Sequence, residues 1–227
     1  MPVGDKALLV EFGNIISLDI NRKVHALNLA ILQLGLKGVV ECVPTYRSLL
    51  VYYDPVEVGY EQLVLRLREL ENRLKGFRVP IQKRMIEVPT IYGGEYGSDL
   101  GHIAKHHNLD PEEVIQLHSD REYIVYMIGF VAGFPYLGEV ADEIATPRRK
   151  TPRLQVPAGS VGIAEKQTGI YPIESPGGWQ IIGQTHLRFF NTQRNPPTLV
   201  QPGDIVKFKP IEVEEFENMK VKEDESM

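Results

Sequence analysis

The stretch Thr151–Thr185, TPRLQVPAGSVGIAEKQTGIYPIESPGGWQIIGQT, sets polar side chains on a glycine- and proline-rich frame. Gln155, Gln167, Tyr171, Glu174, Ser175, Trp179 and Gln180 fall within it, and Pro176-Gly177-Gly178 directly precedes the only tryptophan of the chain. Glycines at this density let backbone N–H groups approach a ligand, because no Cβ stands in the way. The same residues would serve a barrel corner, with the glycines in tight turns and Trp179 in the core. A second cluster, Ile128–Gly138 (IGFVAGFPYLG), places Phe130, Phe134 and Tyr136 among three glycines and a proline. Aromatic rings on such a loop either pack inward or line a pocket or interface, since leaving them in water is costly.

Other spacings carry less. His102 and His106 stand four apart on an expected helix, a separation that can bring two imidazoles to one metal. Ile103-Ala104-Lys105 lies between them, so the glutamate of an H-E-x-x-H site is missing and no metal is expected. Ala158-Gly159-Ser160-Val161-Gly162 echoes a nucleophile elbow, but the residues after Ser160 read as strand rather than helix. His186 and Asp204 are the only triad partners to suggest themselves, and nothing in the sequence joins them to Ser160. No G-x-x-x-x-G-K-[ST] run exists for a nucleotide phosphate. Arg148-Arg149-Lys150 reads as a solvated basic loop.

The elements that would position these residues follow from periodicity. Ala7–Phe12 has strand length, and Arg22–Leu34 places Val24, Leu27, Ala30, Ile31 and Leu34 on a helix face. Val39–Val43 and Leu49–Tyr53 are β-rich. Tyr60–Lys75 carries Leu63, Leu67, Leu70 and Leu74 at helical spacing before Gly76, and Val79–Val88 supplies a further strand. The order β-α-β-β-α-β predicts a ferredoxin-like α+β domain over residues 1–88. Pro89–Gly97 (PTIYGGEYG) has the texture of a junction. Two short helices are expected next, one capped by Ser98 and running through His107, the other opened by Asp110-Pro111-Glu112-Glu113. Tyr123–Gly129 returns to strand. Val161–Ala164, Gly169–Pro172, Trp179–Gly183, Leu187–Phe190 and Ile205–Phe208 then suit a compact β-barrel over residues 89–212, followed by an acidic tail at 213–227.

A formal charge of −5 over 227 residues argues against a dedicated nucleic-acid binder. With 43% hydrophobic and 24% charged residues the composition is that of a globular chain. Cys42 is the only cysteine and has no intramolecular disulfide partner. The opening MPVGDKALLVEFG lacks the basic and long apolar regions of a secretory signal, and no apolar run approaches the ~20 residues of a membrane span, so a cytoplasmic location is expected.

Taken in order, PTYRSLLVYYDP, YGGEYG, GFxxGFPYLG, and TPR…VPAGSVGIA…QTGIYP…ESPGGWQIIG resemble the family of B-type 5-oxoprolinase subunits, also called sporulation-kinase inhibitor-like or allophanate hydrolase subunit 1-like. The resemblance runs from Glu11-Phe12-Gly13 to Gln201-Pro202-Gly203-Asp204. It departs from the family at Val131-Ala132, where a proline usually precedes the glycine, and at His186, where a proline is common. The resemblance implies a ferredoxin-like N-terminal domain, a cyclophilin-like C-terminal barrel, and association with A-type and C-type partners. Together these would open 5-oxo-L-proline to L-glutamate with ATP used by the complex, none being expected as tightly bound to this chain. In that setting Arg153 is a candidate for binding carboxylate or phosphate, or a surface arginine paired with an acid. Glu174 is a candidate for orienting water or accepting an amide proton, or a structural carboxylate capping a turn. Phe134, Tyr136, Gln155, Gln167, Tyr171, Ser175, Gly177, Gly178 and Trp179 would contact substrate. Two other readings go with the family: a binding module that inhibits a sensor histidine kinase, and a carboxyltransferase-like component acting on urea or allophanate.

Overall fold

The structure, a computed structural model, describes residues 1–74 and 84–225. The chain divides into two compact units, residues 1–81 and 82–227.

In the first unit, β1 (Pro2–Val3), β2 (Ala7–Glu11), β3 (Val39–Pro44) and β4 (Ser48–Tyr53) form an antiparallel sheet in the order β1-β2-β4-β3. Two helices, α1 (Leu18–Leu34) and α2 (Tyr60–Leu74), share its core. α1 starts where the Ser17 hydroxyl accepts the Ile20 N–H at 3.2 Å, and it stops at Gly35, whose φ of 55° a Cβ would disfavour. Val24, Leu27 and Ile31 of α1, and Leu63, Leu67 and Leu70 of α2, recur every three or four residues on one face. They meet Leu49, Val51 and Tyr53, which alternate on β4 as a half-buried strand requires. The described part of the unit carries the β-α-β-β-α order. Of the further strand expected at Val79–Val88, residues 79–83 lie outside the described residues. Residues 85–88 open β5 (Met85–Tyr92), which pairs in the second unit, and the sheet position beside β2 is held by β1.

The second unit is built on a closed barrel in the order β10-β7-β6-β13-β5-β12-β9, with β9 and β10 pairing to close it. Its strands are β5, β6 (Glu122–Ile128), β7 (Pro135–Gly138), β9 (Ser160–Ala164), β10 (Gln167–Ile170), β12 (Gln180–Gln184) and β13 (Ile205–Pro210). A two-stranded ribbon of β8 (Arg153–Val156) and β11 (Ser175–Gly177) accompanies it. β5 and β13 run parallel in register from Met85 against Ile205 to Thr90 against Pro210, which commits β5 to the barrel. Leu187–Phe190, expected as a strand, makes only an isolated bridge from Phe190 to Thr198. Phe189 is nonetheless fully buried, so apolar content there reflects packing of an irregular segment.

Two helices pack on the barrel: α3 (Leu100–His107) and α4 (Pro111–Ser119). Pro111 sits in the first turn of α4, and Glu113 accepts the Asp110 N–H at 2.8 Å, the reciprocal half of a capping box. His118 of α4 is fully buried between the Tyr92 hydroxyl at 2.8 Å from Nδ1 and the Thr168 hydroxyl at 2.9 Å from Nε2. Thr168 donates onward to the Gly162 carbonyl at 3.0 Å, so Nε2 carries the imidazole proton and Nδ1 accepts from Tyr92. Burial lowers the His118 pKa to about 3. The acidic C-terminal segment forms α5 (Val213–Glu225), anchored by the buried Phe216 against Tyr96 at 5.1 Å between rings and by Tyr96 donating to Glu217 at 2.8 Å. No helix among the described residues is long and apolar enough to cross a membrane.

Candidate functional site

After β5 the chain is laced to β12. The Gly93 N–H donates to the Ile182 carbonyl at 3.0 Å, Gly97 N–H to the Gly93 carbonyl at 2.8 Å, and Asp99 N–H to the Ile181 carbonyl at 2.8 Å. A Cβ on Gly97 would collide with the Ile182 carbonyl, so only glycine permits this approach. The lacing puts the Asp99 carboxylate, with the residue 4% exposed, where it accepts the Ile181 N–H at 2.7 Å on Oδ2. Its Oδ1 accepts from Arg149 at 2.9 Å and from Arg153 at 2.7 Å. Arg153 also donates to the Ser98 hydroxyl at 3.0 Å. The sequence points to Ser98 as the cap of α3; the N-cap position is instead Asp99, whose side chain is turned away from the helix to the two arginines.

The segment of residues 146–151 is fastened beside this carboxylate. Arg149 N–H donates to the Gly178 carbonyl at 2.8 Å, and the Gln180 amide donates to the Pro147 carbonyl at 2.8 Å. Together these residues border a cavity of about 570 Å³. Asp99, His102, His106, Arg148, Arg149 and Lys150 supply its charged and titratable lining. Arg148 lies 5.9 Å from the centre of the Trp179 ring, a distance at which a guanidinium and an aromatic face attract. His102 and His106 stack at 6.1 Å, and His106 meets His107 edge-on at 4.7 Å. His107 bonds the Thr146 hydroxyl at 3.0 Å, and burial, then the neighbouring His106, lowers its pKa. Among the described residues no group of three or more His, Cys, Asp or Glu side chains could hold a metal ion.

The expected site residues do not come together in one place. Phe134, Tyr171 and Trp179 are buried together with Val156, Ala164 and Ile181, with Tyr136 half-buried against them. Phe134 meets Tyr171 at 5.1 Å and Trp179 at 5.3 Å, nearly perpendicular in both pairs. These rings are a core, not the wall of an open pocket. Gly177 belongs to the same core: a Cβ there would meet the Tyr171 ring at 2.7 Å. Burial raises the Tyr171 and Tyr136 pKa values, so both hydroxyls are neutral. Ser175 is buried on β11, and Gln167 lies half-buried on β10 opposite Gly138. Gly178 supplies the carbonyl that holds Arg149. Elsewhere Gln155 and Glu174, both exposed, bond each other at 3.2 Å. Arg153 and Glu174 therefore have separate partners, and Arg153 is paired with an acid as its alternative reading had it.

Sequence reasoning missed Asp99, the residue that organises the site. It stands at a helix start, where an aspartate reads as a cap, and its partners lie 50 and 54 residues away. The basic run at 148–150 and the His102/His106 pair are both visible in the sequence, and the fold brings them to one cavity. Arg148 and Lys150 make no ion pair among the described residues, and the two arginines on Asp99 exceed its charge. The cavity thus holds excess positive charge on a chain of net charge −5, an arrangement suited to an anionic ligand.

A barrel with this basic cavity falls within a defined class: residues 1–200 match the family model for the carboxyltransferase domain, subdomain C and D. The chain is 46% identical over 224 residues to the B-type subunit of 5-oxoprolinase from Bacillus subtilis, covering 94% of this chain and 93% of that one. It is 52% identical over 172 residues to the protein of the same name from Haemophilus influenzae, covering 76% and 79%. The chain belongs to the family of B-type 5-oxoprolinase subunits. Among solved structures it superposes on the crystal structure of TTHA0988 with a TM-score of 0.80 at 36% identity, covering 92% of this chain and 40% of that chain. It thus spans about two fifths of that protein's length. Urea amidolyase of K. lactis shares the fold, with a TM-score of 0.80 at 21% identity over 97% of this chain and 15% of its own.

Proposed function

We propose that this chain is the B-type subunit of an ATP-dependent 5-oxoprolinase and opens 5-oxo-L-proline to L-glutamate together with A-type and C-type partner subunits. The observation that carries this reading is the 46% identity to the B. subtilis protein over 94% of the chain. The chemistry explains why ATP would be used. An unstrained lactam is a poor electrophile, and phosphorylating its oxygen makes the ring carbon electrophilic enough to add water. The tetrahedral adduct then expels the ring nitrogen as the amine, and hydrolysis of the resulting acyl phosphate gives the carboxylate and inorganic phosphate. Such a site needs cations or N–H donors around phosphate and developing oxyanion, and residues 148–150 offer cations at a cavity. In this reading Arg153, held by Asp99, would brace the site, while Glu174, exposed beside Gln155 and outside the cavity lining, could orient water only if a partner subunit brought substrate to it.

The β-α-β-β-α order of the first unit supports a ferredoxin-like domain, and the closed seven-strand barrel supports a cyclophilin-like one. A cytoplasmic location fits a metabolic assembly of this kind. A carboxyltransferase-like role on urea or allophanate has the family model and the urea amidolyase fold in its favour, at far lower identity. Inhibition of a histidine kinase rests on the family resemblance alone. The deciding experiment is ATP-dependent glutamate release by the mixed subunits with and without this chain. Activity independent of this chain would reject the proposal.

A further inference from the structure

We infer that the cavity between α3 and residues 146–151 is an oxyanion-binding site, in which Arg148 is the arginine that meets the ligand while Asp99 and Arg149 hold the site in shape. Only the identity of the anion rests on the proposed function. Within the lining Arg149 is paired with Asp99, which Arg153 also holds from outside the lining, and Arg148 and Lys150 add two positive charges without an acidic partner among the described residues. The protein as a whole carries −5, so this concentration of cations runs against the average of its surface.

Preorganisation supports the same conclusion. Arg149 is tied at both ends, by its N–H to Gly178 and by its guanidinium to Asp99, and nearby Pro147 is held by Gln180. Arg148 is thereby presented on a fixed backbone, and its guanidinium lies over the Trp179 ring. An aromatic neighbour shields one side of a guanidinium without using its N–H groups, which stay available for a bidentate contact with carboxylate or phosphate. Gln180 adds a second polar feature. It lines the cavity, is 4% exposed, and its amide N–H holds the Pro147 carbonyl at 2.8 Å, while its Oε1 is buried away from solvent. At about 570 Å³ the cavity lies within the range of roughly 300–1,000 Å³ common for small-molecule sites.

Trp179 is the only tryptophan and sits beneath Arg148, so its fluorescence reports on the site in the full-length chain. The chain is titrated separately with 5-oxo-L-proline, inorganic phosphate and ATP at fixed low ionic strength, and again as Arg148→Gln, Arg148→Lys and the surface control Arg22→Gln. The expected result is saturable binding of at least one anion. Affinity should fall tenfold or more in Arg148→Gln, recover in part in Arg148→Lys, and stay unchanged in Arg22→Gln. Which probe binds identifies the source of the oxyanion. The same variants are then assayed in the reconstituted subunit mixture. Absence of saturable binding by the unaltered chain, with Arg148→Gln retaining full activity and KM in the mixture, overturns the site and leaves the subunit assignment standing. Anion binding that depends on Arg148, in a protein whose mixture never turns over 5-oxo-L-proline, upholds the site and rejects the assignment.

Discussion

Asp99 is accommodated in a buried position because every oxygen has a donor: Ile181 N–H on one, two guanidinium groups on the other. Asp99→Asn keeps the shape but sets an amide N–H₂ or a neutral oxygen against donors that expect a carboxylate. Both arginines are partly exposed, at 37% and 23% of their side chains, and water screens some of the ion-pair energy. A loss of about 2 kcal/mol is expected by urea denaturation, most of it from unpaired buried groups. An unchanged midpoint would contradict this role. His118 makes a second prediction at this scale. Its folded pKa of about 3 lies below the ordinary 6.5, so between those values the unfolded chain binds the extra proton. The stability from this group is complete above about pH 6.5 and declines as the pH falls toward 3, by up to about 1.4 kcal/mol per unit. His118→Gln, which retains hydrogen-bonding capacity without the titration, should flatten the dependence of the urea midpoint between about pH 7 and about pH 4.5. An identical slope in both proteins would refute this origin. Neither residue was legible in advance. A helix-start aspartate and a lone histidine look ordinary until partners from distant segments are known, and charge pairing over 50 residues leaves no local pattern.

Elements were more legible where a period exists. The three-and-four spacing of Val24, Leu27 and Ile31, and of Leu63, Leu67 and Leu70, marked α1 and α2, since one helical face must be apolar to reach a core. The Asp110-Pro111 start of α4 was equally readable from capping chemistry. Short barrel strands shifted from expectation: β10 begins at Gln167 rather than Gly169, because glycine-rich runs carry little side-chain pattern to fix register. The same glycines hid the direction of the rings. Gly177 lies on β11 because Tyr171 occupies the space its Cβ would take, and the aromatic cluster faces inward. Gly177→Ala should cost about 1–3 kcal/mol through overpacking, read as a lower melting temperature. A neutral effect would mean that Tyr171 can withdraw. Elsewhere in the unit, α5 depends on the fully buried Phe216. Phe216→Ala should lower stability by about 3 kcal/mol and expose the backbone around it to faster amide exchange. Unchanged exchange there would show that the helix is held by other contacts.

Two units with separate cores divide the 227 residues into a closed barrel and a smaller sheet-and-helix unit. Function at this scale was legible only through ordered motifs along the whole chain, not through any local constellation. The residues that the sequence singles out for chemistry are a core, a surface pair and a committed arginine. The basic cavity comes from segments that look bland apart. Within an assembly, a subunit whose cations bind an anionic substrate should show a KM that rises with ionic strength, and a KM insensitive to salt would weaken that view. The subunit assignment itself is tested most directly by glutamate release from 5-oxo-L-proline with ATP, using A-type, B-type and C-type subunits mixed in all combinations. Release only when this chain is present with both partners is the predicted result. Equal release from the mixture lacking it, or none from a complete and folded mixture, would contradict the assignment.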